Sequence, residues 1–270
     1  MPETPGPDAA SRARVAVIGG SGFYEFLEDP RDLTVLTPYG DPSAPIAIGE
    51  VAGVPVAFLP RHGKAHEYPP HKINYRANIW ALRSVGVRQV LAPCAVGGLQ
   101  PTIPPGSVVV PDQLVDRTQS RAQTFMDVGA VHLPFADPYC PTLRAALTTA
   151  GPDVRDGGTM VVIEGPRFST RAESRNYASA GWDLINMTGQ PEASLARELG
   201  LCYAALALVT DSDAGVDVGE GVDQASVFAT FAEHIAGLKQ ILQSAIKALP
   251  DAPCSCSDWL ADVTLPFELP

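Results

Sequence analysis

The chain contains 270 residues, of which 46% are hydrophobic and 18% are charged, and it includes 24 glycines and 26 prolines. This apolar share is sufficient for a core, which excludes a disordered, collagen-like or coiled-coil chain as a description of the whole. The 30 acidic residues outnumber the 19 basic ones and give a net charge of −11. Because this charge repels phosphate backbones and anionic lipids, we expect a small-molecule substrate, with no nucleic acid and no membrane as a partner.

The N-terminal residues 1–13 carry no basic segment followed by an apolar one, so they predict a flexible tail and not an export signal. No apolar run reaches the roughly 18–20 residues that a membrane helix needs. We therefore expect a cytoplasmic protein.

Short apolar runs bounded by glycine or proline predict the strands. These runs are apolar continuously and not alternately, which indicates strands that are covered on both faces. The predicted strands are Val15–Ile18, Val54–Leu59, Gln89–Val96, Ser107–Val110, Thr159–Ile163 and Cys202–Thr210.

Helical segments alternate with these strands, which predicts an α/β fold with a mostly parallel or mixed sheet and a ligand crevice at the carboxyl ends of the strands. The predicted helices are Tyr75–Val85, Thr142–Ala150, Arg171–Ala180, Pro191–Leu199 and Gln224–Leu249. The last helix has an apolar stripe at steps of three and four, which predicts core packing and not a ligand site. The stripe consists of Val227, Phe228, Phe231, Ile235, Leu238, Ile241, Leu242, Ile246 and Leu249.

A glycine-rich stretch, Val-Ile-Gly-Gly-Ser-Gly at 17–22, follows the first strand. Glycines let backbone N–H groups turn toward an anion, and the Ser21 hydroxyl adds a donor. The dinucleotide and nucleophile-elbow motifs both fail, because Glu25 and Phe23 stand where small residues belong. An ordinary turn after the strand is the alternative.

A second strand ends in Leu-Pro-Arg-His-Gly at 59–63. Arg61 offers a forked donor for phosphate or carboxylate, and His62 a donor that can be charged near neutral pH, which together predict an anion site. A metal site formed by His62, His66 and His71 is disfavoured, because the glycine and prolines among them interrupt a helix. A solvated loop is the alternative.

The five cysteines show no framework of the secreted type. Cys94 and Cys202 lie in apolar runs, which indicates buried thiols, whereas Cys254 and Cys256 form a Cys-Ser-Cys motif. A zinc site at that motif needs a second ligand pair at usable spacing, which the sequence does not indicate, so redox pairing or no role is favoured.

A third strand leads into residues 161–173, where a helix begins near Ser169 or Thr170 with Glu173 placed for a capping box. Capping explains these polar residues without any function. Phe168 lies at the turn, where an aromatic ring can stack on a planar base.

Two further polar segments are notable: Asn-Met-Thr-Gly at 186–189 precedes a predicted helix that opens with Pro191 and Glu192, and Thr-Asp-Ser-Asp at 210–213 ends a long apolar strand. Two carboxylates, Asp211 and Asp213, are costly at the end of a buried strand unless they meet donors or cations. Such a pair can bind a metal, cap a loop, or exchange protons and hydrogen bonds with a heterocycle. A nucleoside-triphosphate site is disfavoured, because no P-loop motif accompanies the pair.

Taken together, six motifs resemble the trimeric purine nucleoside phosphorylases, and within them the branch that acts on 5′-methylthioadenosine. The motifs are G-G-S-G-F-Y at 19–24, P-R-H-G at 60–63, N-Y-R-A-N-I-W-A-L at 74–82, D-Q-L-V-D-R-T at 112–118, E-G-P-R-F-S-T-R-A-E at 164–173 and N-M-T-G-Q-P-E at 186–192. The resemblance implies a single-domain α/β fold whose mixed central sheet is partly barrel-like and flanked by helices. The phosphorylase domain would cover 14–250, after the tail 1–13 and before a C-terminal extension, 251–270, that carries the Cys-Ser-Cys motif.

The resemblance also implies the reaction: inorganic phosphate splits the N-glycosidic bond and gives a free purine and a ribose 1-phosphate. No metal or organic cofactor takes part, and the assembly is a homotrimer. Asparagine donates to O6 in relatives that prefer 6-oxopurines, so the aspartate here favours adenine and hence methylthioadenosine. Phosphorolysis of adenosine, inosine, guanosine or methylthioinosine, hydrolytic cleavage and binding without chemistry remain the alternatives.

By the same resemblance, one set of residues holds the phosphate: Ser21, Arg61, His62 and Thr188, with main-chain groups near Cys94 and Ala95. A second set contacts the nucleoside: Met187 under the ribose, Phe168 at the base, Asp211 with Asp213 at the purine edge, and His132 at the 5′ substituent across a subunit interface.

Two positions depart from the family pattern, and one further motif resembles some of its members. Cys94 stands in the phosphate loop where animal enzymes have threonine, so one hydroxyl donor is absent there. Gln224 occupies a position in the 5′ pocket that is usually apolar, and a polar residue there would admit a 5′-hydroxyl group. Finally, Cys254 and Cys256 resemble a cysteine pair that forms a disulfide in some heat-stable relatives.

Overall fold

The computed structural model describes residues 12–20, 23, 26–129, 131–216, 221–252 and 254–270. Within these residues, eleven strands form one sheet: β1 Val15–Gly19, β2 Glu28–Leu33, β3 Ile46–Val51, β4 Val54–Pro60, β5 Gln89–Gly98, β6 Val108–Val110, β7 Gln113–Arg117, β8 Val154–Asp156, β9 Thr159–Ile163, β10 Leu184–Asn186 and β11 Cys202–Ser212. The helices are α1 Tyr75–Ser84, α2 Pro141–Thr148, α3 Arg171–Ser179, α4 Gly189–Glu198 and α5 Gln224–Ala248, with 3₁₀ helices at Pro70–Lys72 and Ser255–Asp262.

Strand β5 is the branch point of the sheet. It pairs in parallel with β1 and β11, and its last residues pair antiparallel with β10. The main path runs β2-β3-β4-β1-β5-β10-β9-β7, and β11 continues from β5 to β6 and β8. The sheet is therefore mixed, as predicted, and it branches at β5 instead of closing into a barrel.

Helices cover both faces of the sheet. Alternate residues of β1 point to opposite sides, with Ile18 in one apolar cluster and Val17 in the other. On the first side, α1 and α4 bury an apolar stripe, and on the second side α2 and α5 do the same. The layered arrangement explains why the central strands are apolar on both faces.

Every strand and helix predicted from the sequence has a counterpart within two residues at each end. Five strands were not predicted: β2, β3, β7, β8 and β10. β2 is an exposed edge strand of sequence Glu-Asp-Pro-Arg-Asp-Leu, and β8 and β10 have three residues each. Short or charged strands lack the apolar run that a sequence analysis detects.

The C-terminal segment packs against the end of α4 and the start of β11. Trp259 makes one of the contacts, because its indole Nε1 donates to the Arg197 carbonyl at 3.2 Å. Gly200 has φ of +65°, and a Cβ there would lie 2.5 Å from Leu260 Cδ1, so only glycine allows this approach. Among the helices of the described residues, none is long and apolar enough to cross a membrane.

Candidate active site

A pocket of about 520 Å³ opens at the carboxyl ends of the parallel strands. Residues after β4, residues of β5, the segment after β10 and the end of β11 form its polar wall. The N-terminal part of α5 forms an apolar wall. This is the position expected for a ligand crevice in an α/β sheet, and the volume suits a small organic molecule.

The fold brings together most of the predicted site residues, which lie far apart in the sequence. Those that line the pocket are Arg61, His62, Cys94, Ala95, Phe168, Met187, Thr188, Asp211 and Asp213. Ser21 lies outside the described residues, as do residues 1–11 of the predicted tail. His132 is exposed and does not line the pocket of its own chain.

Arg61 is buried in the wall of the pocket and forms a two-point ion pair with Glu192. Its Nε donates to Oε1 at 2.5 Å and its Nη2 to Oε2 at 3.0 Å. The carbonyls of Ile18 and Pro93 accept two further hydrogen bonds from the same guanidinium. Since a guanidinium has five N–H groups, one Nη1 hydrogen is left for a ligand, and Glu192 balances the positive charge.

His62 follows Arg61, and its surroundings favour the neutral form of the imidazole ring. Burial lowers the pKa of His62 to about 4, with the Arg61 charge acting in the same direction. Nδ1 lies 2.8 Å from the Tyr68 carbonyl, so the neutral ring donates there and leaves Nε2 as an acceptor. The sequence predicts that His62 is a donor that can be charged near neutral pH. Because its pKa is so low, the ring carries this charge near neutral pH only when an anion is bound beside it.

Asn186 at the end of β10 orients the segment that leads into α4. Its Oδ1 accepts from the backbone N–H groups of Thr188 and Gly189, at 2.7 Å each, and its Nδ2 donates to the Ala95 carbonyl at 3.1 Å. Thr188, which lines the pocket, is thereby held just before α4; Gln190 has φ of −122° and ψ of 130°, so the regular turns of this helix begin only after it.

Asp211 and Asp213 line the pocket at the end of β11. Burial raises the pKa of Asp211 to about 6, and the Asp213 charge adds to the increase, while a 2.8 Å hydrogen bond from Thr210 opposes it. Burial also raises the pKa of Asp213, whose Oδ2 is buried and makes no hydrogen bond to the described residues. Asp211 can therefore carry a proton near neutral pH, and Asp213 has an acceptor available.

A β-bulge places the two aspartates at the pocket. The pairing of β11 with β5 shifts by one residue between Val209 and Asp211, so Asp211 lies opposite Gly97. A Cβ at Gly97 would lie 2.8 Å from Ile185 Cγ2 and 3.0 Å from Asp211 Oδ2. Glycine at this position provides the space that the Asp211 carboxyl group occupies.

The apolar wall corrects the prediction made for α5. The stripe was expected to pack in the core, and its C-terminal half does so through Leu238, Leu242 and Ile246. In contrast, Val227 and Phe228 line the pocket, and Phe228 is 46% exposed. Helical periodicity identifies an apolar face, but it does not show whether that face meets a core or a cavity.

Glu192 is the main site residue that the sequence did not predict. It belongs to the motif at 186–192, but an acidic residue in the first turn of a helix is explained by the helix dipole alone. Only the tertiary structure shows that it pairs with Arg61. Gln224, in contrast, lines the pocket as the resemblance implies.

Comparisons with known proteins agree with this arrangement. The phosphorylase superfamily matches residues 14–247. The chain is 62% identical over 258 residues to S-methyl-5′-thioadenosine phosphorylase from Mycobacterium tuberculosis, which covers 95% of this chain and 97% of that protein. It is 54% identical over 264 residues to a purine nucleoside phosphorylase from Streptomyces coelicolor, with 91% and 94% covered.

Solved structures show the same fold. Methylthioadenosine phosphorylase from Schistosoma mansoni in complex with adenine superposes with a TM-score of 0.83 at 38% identity, over 87% of this chain and 91% of that chain. A methylthioadenosine phosphorylase from an Antarctic soil metagenomic library also gives 0.83, at 40% identity over 92% and 90%.

Proposed function

The chain belongs to the phosphorylase superfamily, and from this premise we propose that it cleaves S-methyl-5′-thioadenosine with inorganic phosphate. The products are adenine and 5-methylthioribose 1-phosphate. The names of close relatives support this substrate. The observation that carries the proposal is the placement of Asp211, with its raised pKa, and Asp213 in the same pocket as Arg61 and Thr188.

On the phosphate side, the remaining Nη1 hydrogen of Arg61, the Thr188 hydroxyl and the backbone near Cys94 and Ala95 hold the dianion, with Ser21 as a further donor. A dianion beside His62 raises the pKa of that ring and converts it into a second cationic donor. The bound phosphate lies beneath the ribose and stabilises the positive charge that develops on the sugar.

On the base side, the protonated oxygen of Asp211 donates its proton to N7, while the other oxygen of this carboxyl group, together with Asp213, accepts from the 6-amino group. As the C1′–N9 bond breaks, its electron pair moves into the purine, and the proton at N7 makes adenine a neutral leaving group. A phosphate oxygen forms the new bond to C1′. The proton that the phosphate monoester then releases restores the acid form of Asp211. This scheme requires no organic cofactor.

The apolar wall sets the preference at the 5′ position. Val227, Phe228 and Phe231 provide an apolar surface for a methylthio group, which a 5′-hydroxyl group does not use. Gln224 lines the same end and offers polar atoms to a hydroxyl group. A broader purine nucleoside phosphorylase that also accepts adenosine is therefore the second candidate, and the name of the Streptomyces coelicolor relative favours it.

The assembly is proposed to be a homotrimer in which His132 of one chain completes the 5′ pocket of the next. The exposure of His132 and of Phe228 supports this arrangement, because both are available to a neighbouring chain. Light scattering measures the oligomer. Mixing His132→Ala with Asp211→Ala chains should restore activity above either variant, and no gain on mixing contradicts a shared site.

The decisive experiment measures release of free base from methylthioadenosine, adenosine and inosine, with phosphate or with sulfate at equal ionic strength. Release should require phosphate and be fastest for methylthioadenosine. Release without phosphate would indicate a nucleosidase, and equal or faster turnover of inosine would overturn the adenine preference. Affinity without turnover of any nucleoside would indicate a binding protein.

A further inference from the structure

Four of the five cysteines converge at one place outside the pocket. The Sγ atoms of Cys140, Cys202, Cys254 and Cys256 all lie within 4.8 Å of one another. These cysteines come from three parts of the chain: the residue before α2, the first residue of β11, and the C-terminal segment. The sequence did not indicate this cluster, because the pair that joins the Cys-Ser-Cys motif lies far from it along the chain.

The spacing of the sulfur atoms fits a tetrahedral metal centre. Cys254 Sγ lies 3.5 Å from Cys140 Sγ and 3.6 Å from Cys256 Sγ. In a tetrahedral site with Zn–S bonds of about 2.3 Å, adjacent sulfur atoms are about 3.8 Å apart. One central ion accounts for a sulfur that is equally close to two others, whereas a disulfide joins one pair at a time.

Half of the site is held rigidly by the core. The Cys140 backbone N–H donates to the Tyr203 carbonyl at 2.8 Å, which fixes Cys140 beside the start of β11. The Cys202 N–H donates to the Arg88 carbonyl at 2.9 Å, which fixes Cys202 in the sheet. Two ligands are therefore positioned before the C-terminal segment supplies the others, as a preorganised site requires.

The surroundings also suit thiolate ligands. Cys140 occupies the N-cap position of α2, where the helix dipole favours a negative charge. The Thr142 hydroxyl lies 3.6 Å from Cys254 Sγ. Cys140, Cys202 and Cys256 are buried, while Cys254 is half-buried, so the cluster reaches the surface at Cys254.

We propose that Cys140, Cys202, Cys254 and Cys256 bind one Zn²⁺ ion, which fastens the C-terminal segment 254–262 to the core. Four thiols lose their protons to the solvent as the ion binds, and no oxidant or reductant is needed. Soft thiolate ligands in a closed tetrahedral set select zinc. Asp211 lies nine residues along β11 from Cys202, or about 30 Å, so the ion has a structural role and no part in the reaction.

The first test measures metal in the full-length protein, purified in a non-thiol reductant after removal of any affinity tag and dialysed after addition of zinc chloride. Elemental analysis should find about one zinc per chain, as a closed four-cysteine site predicts. Cobalt substituted for zinc should give the absorption bands of a tetrahedral cobalt thiolate. Iron in place of zinc, or less than about 0.1 zinc per chain, would overturn the proposal.

Variants locate the site. Cys256→Ser should lower the zinc content to below about 0.1 per chain, whereas Cys94→Ser, which removes the cysteine outside the cluster, should keep about one. The metal content is the quantity compared in this control. Equal zinc in both variants would contradict the assignment of ligands.

Removal of the ion tests its role without any substitution. Chelation should lower the melting temperature and expose residues 254–262 to limited proteolysis, and zinc should reverse both changes. Thiol labelling under denaturing conditions gives the redox state of the native protein. Five reactive thiols support the proposal, and disulfides within the cluster in protein purified under reducing conditions contradict it.

Discussion

Glu192 neutralises Arg61 inside the wall of the pocket, and the two side chains are only 1% and 3% exposed. The Tyr203 hydroxyl donates to Glu192 Oε2 at 2.9 Å, which holds the carboxylate in place from the other side. Arg61 is thus a rigid element whose charge is largely balanced before any ligand binds. The positive potential that attracts phosphate then depends on His62 and on backbone N–H dipoles as much as on Arg61.

We predict that Glu192→Gln destabilises the protein by about 3 to 5 kcal/mol, because it leaves the Arg61 charge buried without a partner. Urea unfolding measures the loss. Asp32→Asn is the matched control, since Asp32 pairs with Lys64 at the surface and its loss should cost less than about 1 kcal/mol. Equal effects of the two substitutions would contradict the role given to the buried pair.

The pH dependence of turnover should follow Asp211. The pKa of this carboxyl group is raised to about 6, and only the protonated form donates to N7. At saturating phosphate, kcat/KM for methylthioadenosine should therefore fall about tenfold per pH unit above that pKa. In Asp211→Asn, kcat/KM should no longer decrease above this pH. If the variant shows the same decrease, the titration belongs to another group.

The same substitution should change the preferred base. An asparagine amide donates to O6, whereas a carboxylate does not, so Asp211→Asn should shift the ratio of kcat/KM for adenosine and inosine toward inosine by about tenfold or more. Asp32→Asn, which removes an exposed carboxylate far from the pocket, should leave the ratio unchanged. An unaltered ratio in Asp211→Asn would contradict recognition of the purine edge by this residue.

Gly97→Ala should lower kcat/KM for methylthioadenosine by about tenfold or more, because the added Cβ displaces the Asp211 carboxyl group. Gly237→Ala is the control. Its Cβ meets no atom within 4 Å, so this helix position should gain up to about 1 kcal/mol of stability without loss of rate. Full activity of Gly97→Ala would show that the aspartate tolerates a different position.

Phosphate binding should be accompanied by proton uptake at His62. The pKa of His62 is about 4 in the free protein because burial disfavours its charge, and a neighbouring dianion raises it. At any pH between these two pKa values, the ring therefore takes up a proton when phosphate binds. Calorimetry in two buffers of different ionisation enthalpy measures the uptake. His62→Gln should take up fewer protons, and identical uptake would contradict this role.

The polar ends of apolar strands were the most informative part of the sequence. Asp211 and Asp213 were predicted as a functional pair because carboxylates at the end of a buried strand need a reason to be there, and both line the pocket. Arg61 was predicted for the same reason. The contacts of these strand ends depend on how distant segments of the chain pair. For this reason the sequence did not predict that Glu192 is the partner of Arg61, nor the order of the strands in the sheet.

Residues whose role depends on a neighbouring element were also beyond a sequence analysis. Phe228 lies on an apolar helical face that looks like core, and its exposure is a property of the space between α5 and the sheet. Cys140 and Cys202 lie close together where the Cys140 N–H donates to the Tyr203 carbonyl and joins the start of α2 to β11. Spacing along the chain carries no information about such contacts.

The pairing of β5 with β11 has a consequence for how the protein folds. Gly97 and Asp211 are opposite each other in the sheet although they lie far apart along the chain. Contacts of such high sequence separation form slowly, because the loop between them must close before it is stabilised. During synthesis from the N-terminus, the strand that carries Asp211 and leads into Asp213 emerges after the other strands of the sheet. The pocket is thus among the last parts of the molecule to be assembled, and a chain that ends before β11 contains most of the sheet but neither of the aspartates that contact the base.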